Sequence, residues 1–282
     1  MAYWFAKRPN YRQAEQEYHK INAKWHPLFL FKFENKTVRI LDKAGNWESS
    51  PADTRRGHWT RAELYRKFFE LTCNFYNLDQ EGILALSVHD GAHNSEDFPF
   101  FSFQKKVGER AILLPDIDAI GRNFYLGQHD DVINYFEKLN SAIFVGSTTG
   151  DRHTRESVTA LSNQRIRSGV FFGDKPDVVF RLPLIRQCVS NDVEDMIRAL
   201  GFGTGKTSWD DQLKHRFLIS IDGNGATCSR VSIALKSNSV LLKYNSNSHL
   251  YYFPALVPGV HFVPISDDPD VISVINAEKN AP

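Results

Sequence analysis

His215 to Ile265 reads HRFLISIDGNGATCSRVSIALKSNSVLLKYNSNSHLYYFPALVPGVHFVPI, and its punctuation decides the fold. The apolar run Phe217 to Ile221 is short and bounded by turn residues, as a buried strand is. Asp222-Gly223-Asn224-Gly225 cannot continue it. A helix is predicted to open around Ala226-Thr227, with Arg230 in its first turn. A second strand, Ser239 to Lys243, follows after a helix-sized gap, then a short helix and a last strand. This is a βαβ unit whose helix start turns free backbone N–H groups toward the loop, an arrangement that binds phosphate. Arginine in that turn adds a charged, forked donor. Gly225, Ala226, Thr227, Cys228, Ser229 and Arg230 are therefore candidate phosphate contacts.

The same alternation extends outward. Phe29–Phe33 and Thr37–Leu41 read as a hairpin turning at Glu34-Asn35-Lys36, and 11–22 as a polar helix. Thr60-Arg61-Ala62-Glu63 has the capping-box pattern. Leu64, Phe68, Leu71 and Phe75 follow at helical spacing, which predicts a helix over 61–76. Strands are expected at 83–88, 111–114, 142–145 and 178–181, and helices at 155–167 and 191–200. Residues 43–58 and 201–210 look least regular. From about residue 80 the pattern is that of an α/β fold with parallel sheets.

Two further segments could carry chemistry. In Ser87-Val88-His89-Asp90-Gly91 a strand ends at Asp90, and α/β folds place ligands at carboxyl ends of strands. The blander reading is that Asp90 caps a turn. In Phe144-Val145-Gly146-Ser147-Thr148-Thr149-Gly150 a strand runs into a small, hydroxylated loop. Glycines there allow backbone N–H groups and hydroxyls to approach a phosphate. Gly201 to Thr207 imitates a P-loop, but a helix precedes it and the first glycine of the pattern falls on Leu200. His89, Asp90 and His93 could hold a metal, though three such residues on one turn are commonly accidental.

In order and spacing these segments resemble glycosyltransferase family 90, which includes lipopolysaccharide core glycosyltransferases, capsule-associated proteins and protein O-glucosyltransferases. The residues carrying the resemblance are Phe217 to Gly223, Arg230, Ser239 to Leu242, and Leu256-Val257-Pro258-Gly259-Val260-His261-Phe262-Val263-Pro264. Ser87 to Gly91 resembles the family's N-x-R-D-Y, Phe98 to Phe103 its P-x-F-S-F, Leu113-Leu114-Pro115 the next I-x-[YF]-P, and Phe144 to Thr149 its F-x-G-S-x-T. The resemblance implies two Rossmann-like domains facing a cleft (GT-B), here 1–138 on the acceptor side and 139–282 for the nucleotide-sugar. It implies Asp90 as catalytic base. It implies a UDP-sugar held by Gly146, Ser147, Thr148, Thr149, the 225–230 segment and one more arginine, Arg165 being favoured over Arg152, Arg155 and Arg167. The implied chemistry is inverting transfer of a hexose or xylose without cofactor or metal. His89 and Gly91 depart from the pattern, as does Asn245 to His249, where relatives often carry an acidic residue. Asp116-Ile117-Asp118 imitates the metal-binding DxD of another transferase fold, and this metal-dependent reading is one alternative. A degenerate, non-catalytic nucleotide- or glycan-binding scaffold is another, since relatives usually continue with further helices after the position of Pro264.

Bulk composition agrees with a globular protein. Of 282 residues 42% are hydrophobic and 24% charged, and the net charge of +1 gives no reason to expect nucleic acid. The three cysteines lack disulfide or zinc spacing. The first twenty residues show no apolar signal segment, so the resemblance points to the bacterial, cytoplasmic branch and to a lipopolysaccharide-core acceptor. A local basic cluster at Arg55, Arg56, His58, Arg61, Arg66 and Lys67, with Lys7 and Arg8, suggests peripheral contact with an anionic membrane.

Overall fold

The computed structural model describes residues 28–43, 52–79, 81–90, 100–205, 207–226 and 228–280. The predicted helix at 11–22, Lys7, Arg8, Gly91, His93 and Thr227 lie outside them. By packing, the chain divides into one unit of residues 1–124 with Asn247–Phe253, and another of 125–246 with 254–282.

In the first unit the hairpin is present as β1 (Leu28–Glu34) and β2 (Thr37–Lys43). Asn35 and Lys36 at the turn have φ 51° and 60°, the left-handed pair that matches strand twist in a two-residue hairpin. β3 (Gly82–Ser87) pairs antiparallel with β1, then β4 (Phe100–Ser102) and β6 (Ile112–Leu113) add parallel strands. β5 (Gln104–Lys106) lies between them in sequence and pairs instead with β11 (Ser248–Leu250).

One face of β1 packs under helix α1, which spans Ala52–Phe75. The ring of Phe31 meets Phe69 at 5.5 Å and that of Phe29 meets Trp59 at 5.9 Å. The helix therefore starts earlier than the capping-box pattern predicts. Thr60 is not a cap: its hydroxyl donates to Arg56 O within the helix. Buried His58, and Trp59 against Phe29, pack the residues just before Thr60, so the helix runs through the end of the expected irregular segment.

The second unit holds a five-stranded parallel sheet in the order β12-β10-β9-β7-β8. Its strands are β7 (Leu139–Ser147), β8 (Val178–Leu184), β9 (His215–Ser220), β10 (Val240–Tyr244) and β12 (Val263–Ile265). The α/β expectation, with parallel strands, holds. From β7 the sheet grows outward to β8; from β9 it grows the opposite way. Strand order thus reverses between β7 and β9, and ligands of such sheets bind outside the carboxyl ends at that point. The core beneath it is Phe144, Phe172, Leu182, Phe217, Ile219, Leu242, Val271 and Ile275.

The helix expected over 155–167 is two: α3 (Arg155–Thr159) and α4 (Gln164–Phe172). Leu161 breaks the run at φ 49°, and Asn163 caps the second helix through its side-chain oxygen. After short helix α2 (Ile117–Gly121) of the first unit, the second unit also carries α5 (Asn191–Ala199), α6 (Trp209–Gln212), α7 (Cys228–Lys236) and α8 (Asp268–Lys279). α8 follows Pro264 and completes the core with Val271 and Ile275. Its first residue, Asp268, is buried and accepts hydrogen bonds from Ser168, Tyr244 and Gln164, tying the helix to the sheet.

Candidate functional site

Expected site residues collect in two places, one in each unit. The larger is at the reversal between β7 and β9. β7 ends in Gly146-Ser147 and β9 runs into Asp222-Gly223, so both glycine-containing loops leave neighbouring strands side by side. Arg165, from the first turn of α4, fastens them together. Its Nη1 donates to Ser147 O and Thr149 Oγ1, both at 3.0 Å, and its Nη2 to Ile221 O at 2.8 Å. Arg230, from the first turn of α7, donates to Gln212 Oε1 at 3.2 Å and to Val145 O.

Both guanidiniums lie over one ring, that of Phe144, at 5.4 Å for Arg165 and 4.8 Å for Arg230. Arg230 also lies over Trp209. Burial pushes Arg165 down to about 10, partly offset by Asp222, and Arg230 down to about 9, with Arg165 adding repulsion. Both remain charged at neutral pH. Their hydrogen-bond acceptors among the described residues are neutral, and Arg165 Nε has none. Two buried cations at the ligand-binding edge of a parallel sheet form a site suited to an anion.

The loop residues divide by what they touch. Ser147 and Thr149 share a hydroxyl hydrogen bond of 2.9 Å and are partly exposed. Thr148 is fully buried, its hydroxyl engaged with the backbone of Arg186. Gly146 and Gly223 are glycines of necessity: a Cβ would come within 2.8 Å of the Phe144 ring at one and 2.7 Å of Thr149 Oγ1 at the other. Gly225 O accepts from Gly223 N, closing the turn, and Ala226 is buried. Cys228 opens α7, and Ser229 is partly exposed beside it. Of the other arginines weighed, Arg155 is paired with Asp192 at 2.6 Å, Arg167 bonds Gln164 and Leu161, and Arg152 is exposed.

Sequence reasoning missed two parts of this site. Gln187 bridges the loops, accepting from Gly150 N at 3.0 Å and donating to Asn224 Oδ1 at 2.9 Å. It does so at φ 65°, a conformation uncommon outside glycine, and no sequence pattern announces it. Asp222 accepts from Ser246 and faces the charges of Arg165 and Lys243. Ser246 falls in the segment where relatives often carry an acidic residue, and Asp222 is an acidic group beside it.

The smaller place is the carboxyl end of β3. Asp90 lies just past the strand, half-buried, in an ion pair with Arg61 of α1 at 3.2 Å. Arg66, also in the predicted membrane-facing cluster, is paired with Glu63 and Glu70. Asp116 is fully buried and caps α2 by accepting from Ala119 N at 2.8 Å, a structural duty for the first acid of the DxD-like stretch. His261 makes a local bond to Val257 N. In the P-loop-like segment Gly203 and Gly205 lie against the side chain of Arg181 of β8. No helix among the described residues is long and apolar enough to cross a membrane.

A family model described as Glycosyl transferase family 90 matches residues 87–279, which spans all of the residues above from Asp90 to Arg230. A comparison with curated proteins finds no match.

The Arg165 fastening yields a contrast between two glycines. Gly223→Ala forces Thr149 and Arg165 apart from the loop, and should cost about 1–3 kcal/mol. Gly57→Ala, in open space inside α1, should be neutral or stabilising by about 0.5–1 kcal/mol. Denaturant midpoints at constant m measure both. Equal effects at the two positions would contradict the tight packing of the loop.

Proposed function

Since the chain belongs to glycosyltransferase family 90, we propose that it is an inverting, metal-independent transferase that moves a hexose or xylose from a UDP-sugar to a glycan acceptor. The reading takes the two units as the halves of a GT-B enzyme. The observation that carries it is the pair of guanidiniums buried around Phe144 at the strand-order reversal. Burying like charges together costs several kcal/mol, and a diphosphate offsets that cost with charge-assisted hydrogen bonds.

In this mechanism the acceptor hydroxyl attacks the anomeric carbon on the face opposite UDP. Asp90 takes the hydroxyl proton as the new glycosidic bond forms. The bond to the diphosphate breaks with its electron pair, and the leaving oxygen gains charge. To the start of α7, Arg230, Arg165 and the Ser147–Thr149 loop we assign the stabilising of that charge, a task that fixed donors perform without reorganising. Asp222 and Ser246, bonded to each other, are the polar groups we assign to hydroxyls of the donor. The acceptor we infer is a lipopolysaccharide-core oligosaccharide, and the place of work the cytoplasmic face of the inner membrane.

Three outcomes test the reading. Asp90→Asn should lower UDP release from UDP-glucose plus core oligosaccharide by about 10²–10⁴-fold, with UDP affinity unchanged. A scaffold would release no UDP even with Asp90 present. Arg230→Ala should weaken UDP binding by about 1.5–3 kcal/mol in calorimetry, on protein whose circular dichroism matches the parent. Unchanged affinity would move the diphosphate elsewhere. For membrane contact, Arg56 and Lys67 remain exposed on α1. Co-sedimentation should favour anionic over neutral vesicles and fade with salt; equal binding to both removes this part.

A further inference from the structure

We propose that Arg61 is the positioning residue of Asp90, holding the carboxylate in the orientation from which it meets the acceptor hydroxyl. The inference rests on the reading of Asp90 as base and deepens it.

The geometry begins with the end of β3. Past Ser87 the ladder stops, and Val88, His89 and Asp90 turn away from it. Val88 O lies beyond the pairing of the sheet and needs a donor. Arg61 supplies it: Nη1 donates to Val88 O at 2.8 Å and to Asp90 Oδ1 at 3.2 Å. The same guanidinium lies over the Phe103 ring, 5.5 Å from its centre. A forked, planar cation thereby ties strand end, carboxylate and aromatic together, which a lysine point charge does less well.

Arg61 is itself well held. Its helix is fixed on the sheet by Ala62, Tyr65 and Phe69, all buried, and by Tyr65 OH donating to Pro115 O at 2.8 Å. From the other side Gln104 Nε2 donates to the backbone oxygen of Asp90. Gln104 is 3% exposed, so this second support is rigid as well. Asp90 is thus gripped twice, by its backbone from β5 and by its side chain from α1. A carboxylate has about four lone-pair sites, so the bond from Arg61 occupies only part of its accepting capacity. Holding matters because a general base works only within hydrogen-bond reach of its proton, and displacement of about 1 Å can cost on the order of 10²-fold.

This assignment separates Arg61 from the basic residues around it. Arg56 pairs with Asp53 on the solvent face and Arg66 with the acids of its own helix. Arg61 instead reaches across 29 positions to the strand end.

The experiment compares Arg61→Ala, Arg61→Gln, Arg61→Lys and Asp90→Asn in the full chain, measuring UDP release from UDP-glucose with core oligosaccharide. Arg61→Gln keeps an amide that can donate to Val88 O and so protects the fold. We expect kcat to fall about 10–100-fold in the alanine and glutamine variants, with KM for UDP-glucose within twofold. Arg61→Lys should recover part of the loss, and added guanidinium should raise kcat of Arg61→Ala. Combining Arg61→Ala with Asp90→Asn should slow the enzyme no further than Asp90→Asn alone. Full kcat in Arg61→Gln beside an inactive Asp90→Asn overturns the role of Arg61 and leaves the base in place. Turnover retained by Asp90→Asn instead removes the base, and the positioning role falls with it.

Discussion

The second unit is organised around the burial of two guanidiniums against one phenylalanine. Arg165 and Arg230 reach Phe144 from the first turns of different helices, and each donates to carbonyls of strand ends and to one neighbouring side chain. Placing like charges in a poorly solvated spot is unfavourable. The surrounding core of Phe172, Phe217, Ile219 and Leu242 offsets the cost, and the geometry it preserves is a rigid, positively charged strand edge. The small residues nearby follow from this constraint. Gly146 must leave room for the Phe144 ring and Gly223 for Arg165 and Thr149. The hydroxyl of Thr149 takes one of the arginine's bonds, which holds the loop in position.

The parallel sheet was legible because its evidence is local. Phe217 to Ile221 and Ser239 to Lys243 are short runs with apolar centres closed by turn residues, and the hairpin turn at Asn35-Lys36 has its own chemistry. Boundaries that depend on distant contacts were not legible. A threonine three residues before a glutamate looks the same at a helix start and in a helix interior, and it takes the packing of His58 and Trp59 to show that α1 continues upstream of Thr60. Residues 155–167 have helical composition throughout, yet Leu161 and the capping Asn163 break the run. α8, by contrast, could have been found. Asp267 and Asp270 flank Pro269 as a capping box, and Val271 and Ile275 follow at helical spacing.

For the candidate site the division is similar. Residues in glycine-rich loops after strands were recognisable, because loop composition and the resemblance to the family both mark them. Their partners were not. Gln187 and Ser246 carry no motif, and they are tied to Asn224 and Asp222 of the loop by a fold that brings together residues 37 and 24 positions apart. Charge shows the same limit. Six basic residues clustered in sequence suggest one surface, whereas in space Arg61 belongs to Asp90 and Arg66 to two glutamates. A sequence cluster of like charge states how many charges are present; which ones remain for a partner depends on the acids the fold supplies.

Domain limits follow the same logic. A linear cut after 138 looks natural, because β7 opens the parallel sheet at Leu139. Yet Asn247–Phe253, far along the chain, packs with the first unit, where β11 pairs with β5. β5 supplies Gln104, which grips the backbone of Asp90. Removing everything after residue 138 would therefore leave β5 as an unpaired three-residue strand, too short to hold its place alone. The support of Asp90 would weaken although no residue near it in sequence had changed. The candidate base is thus supported from both sides of a cut at 138.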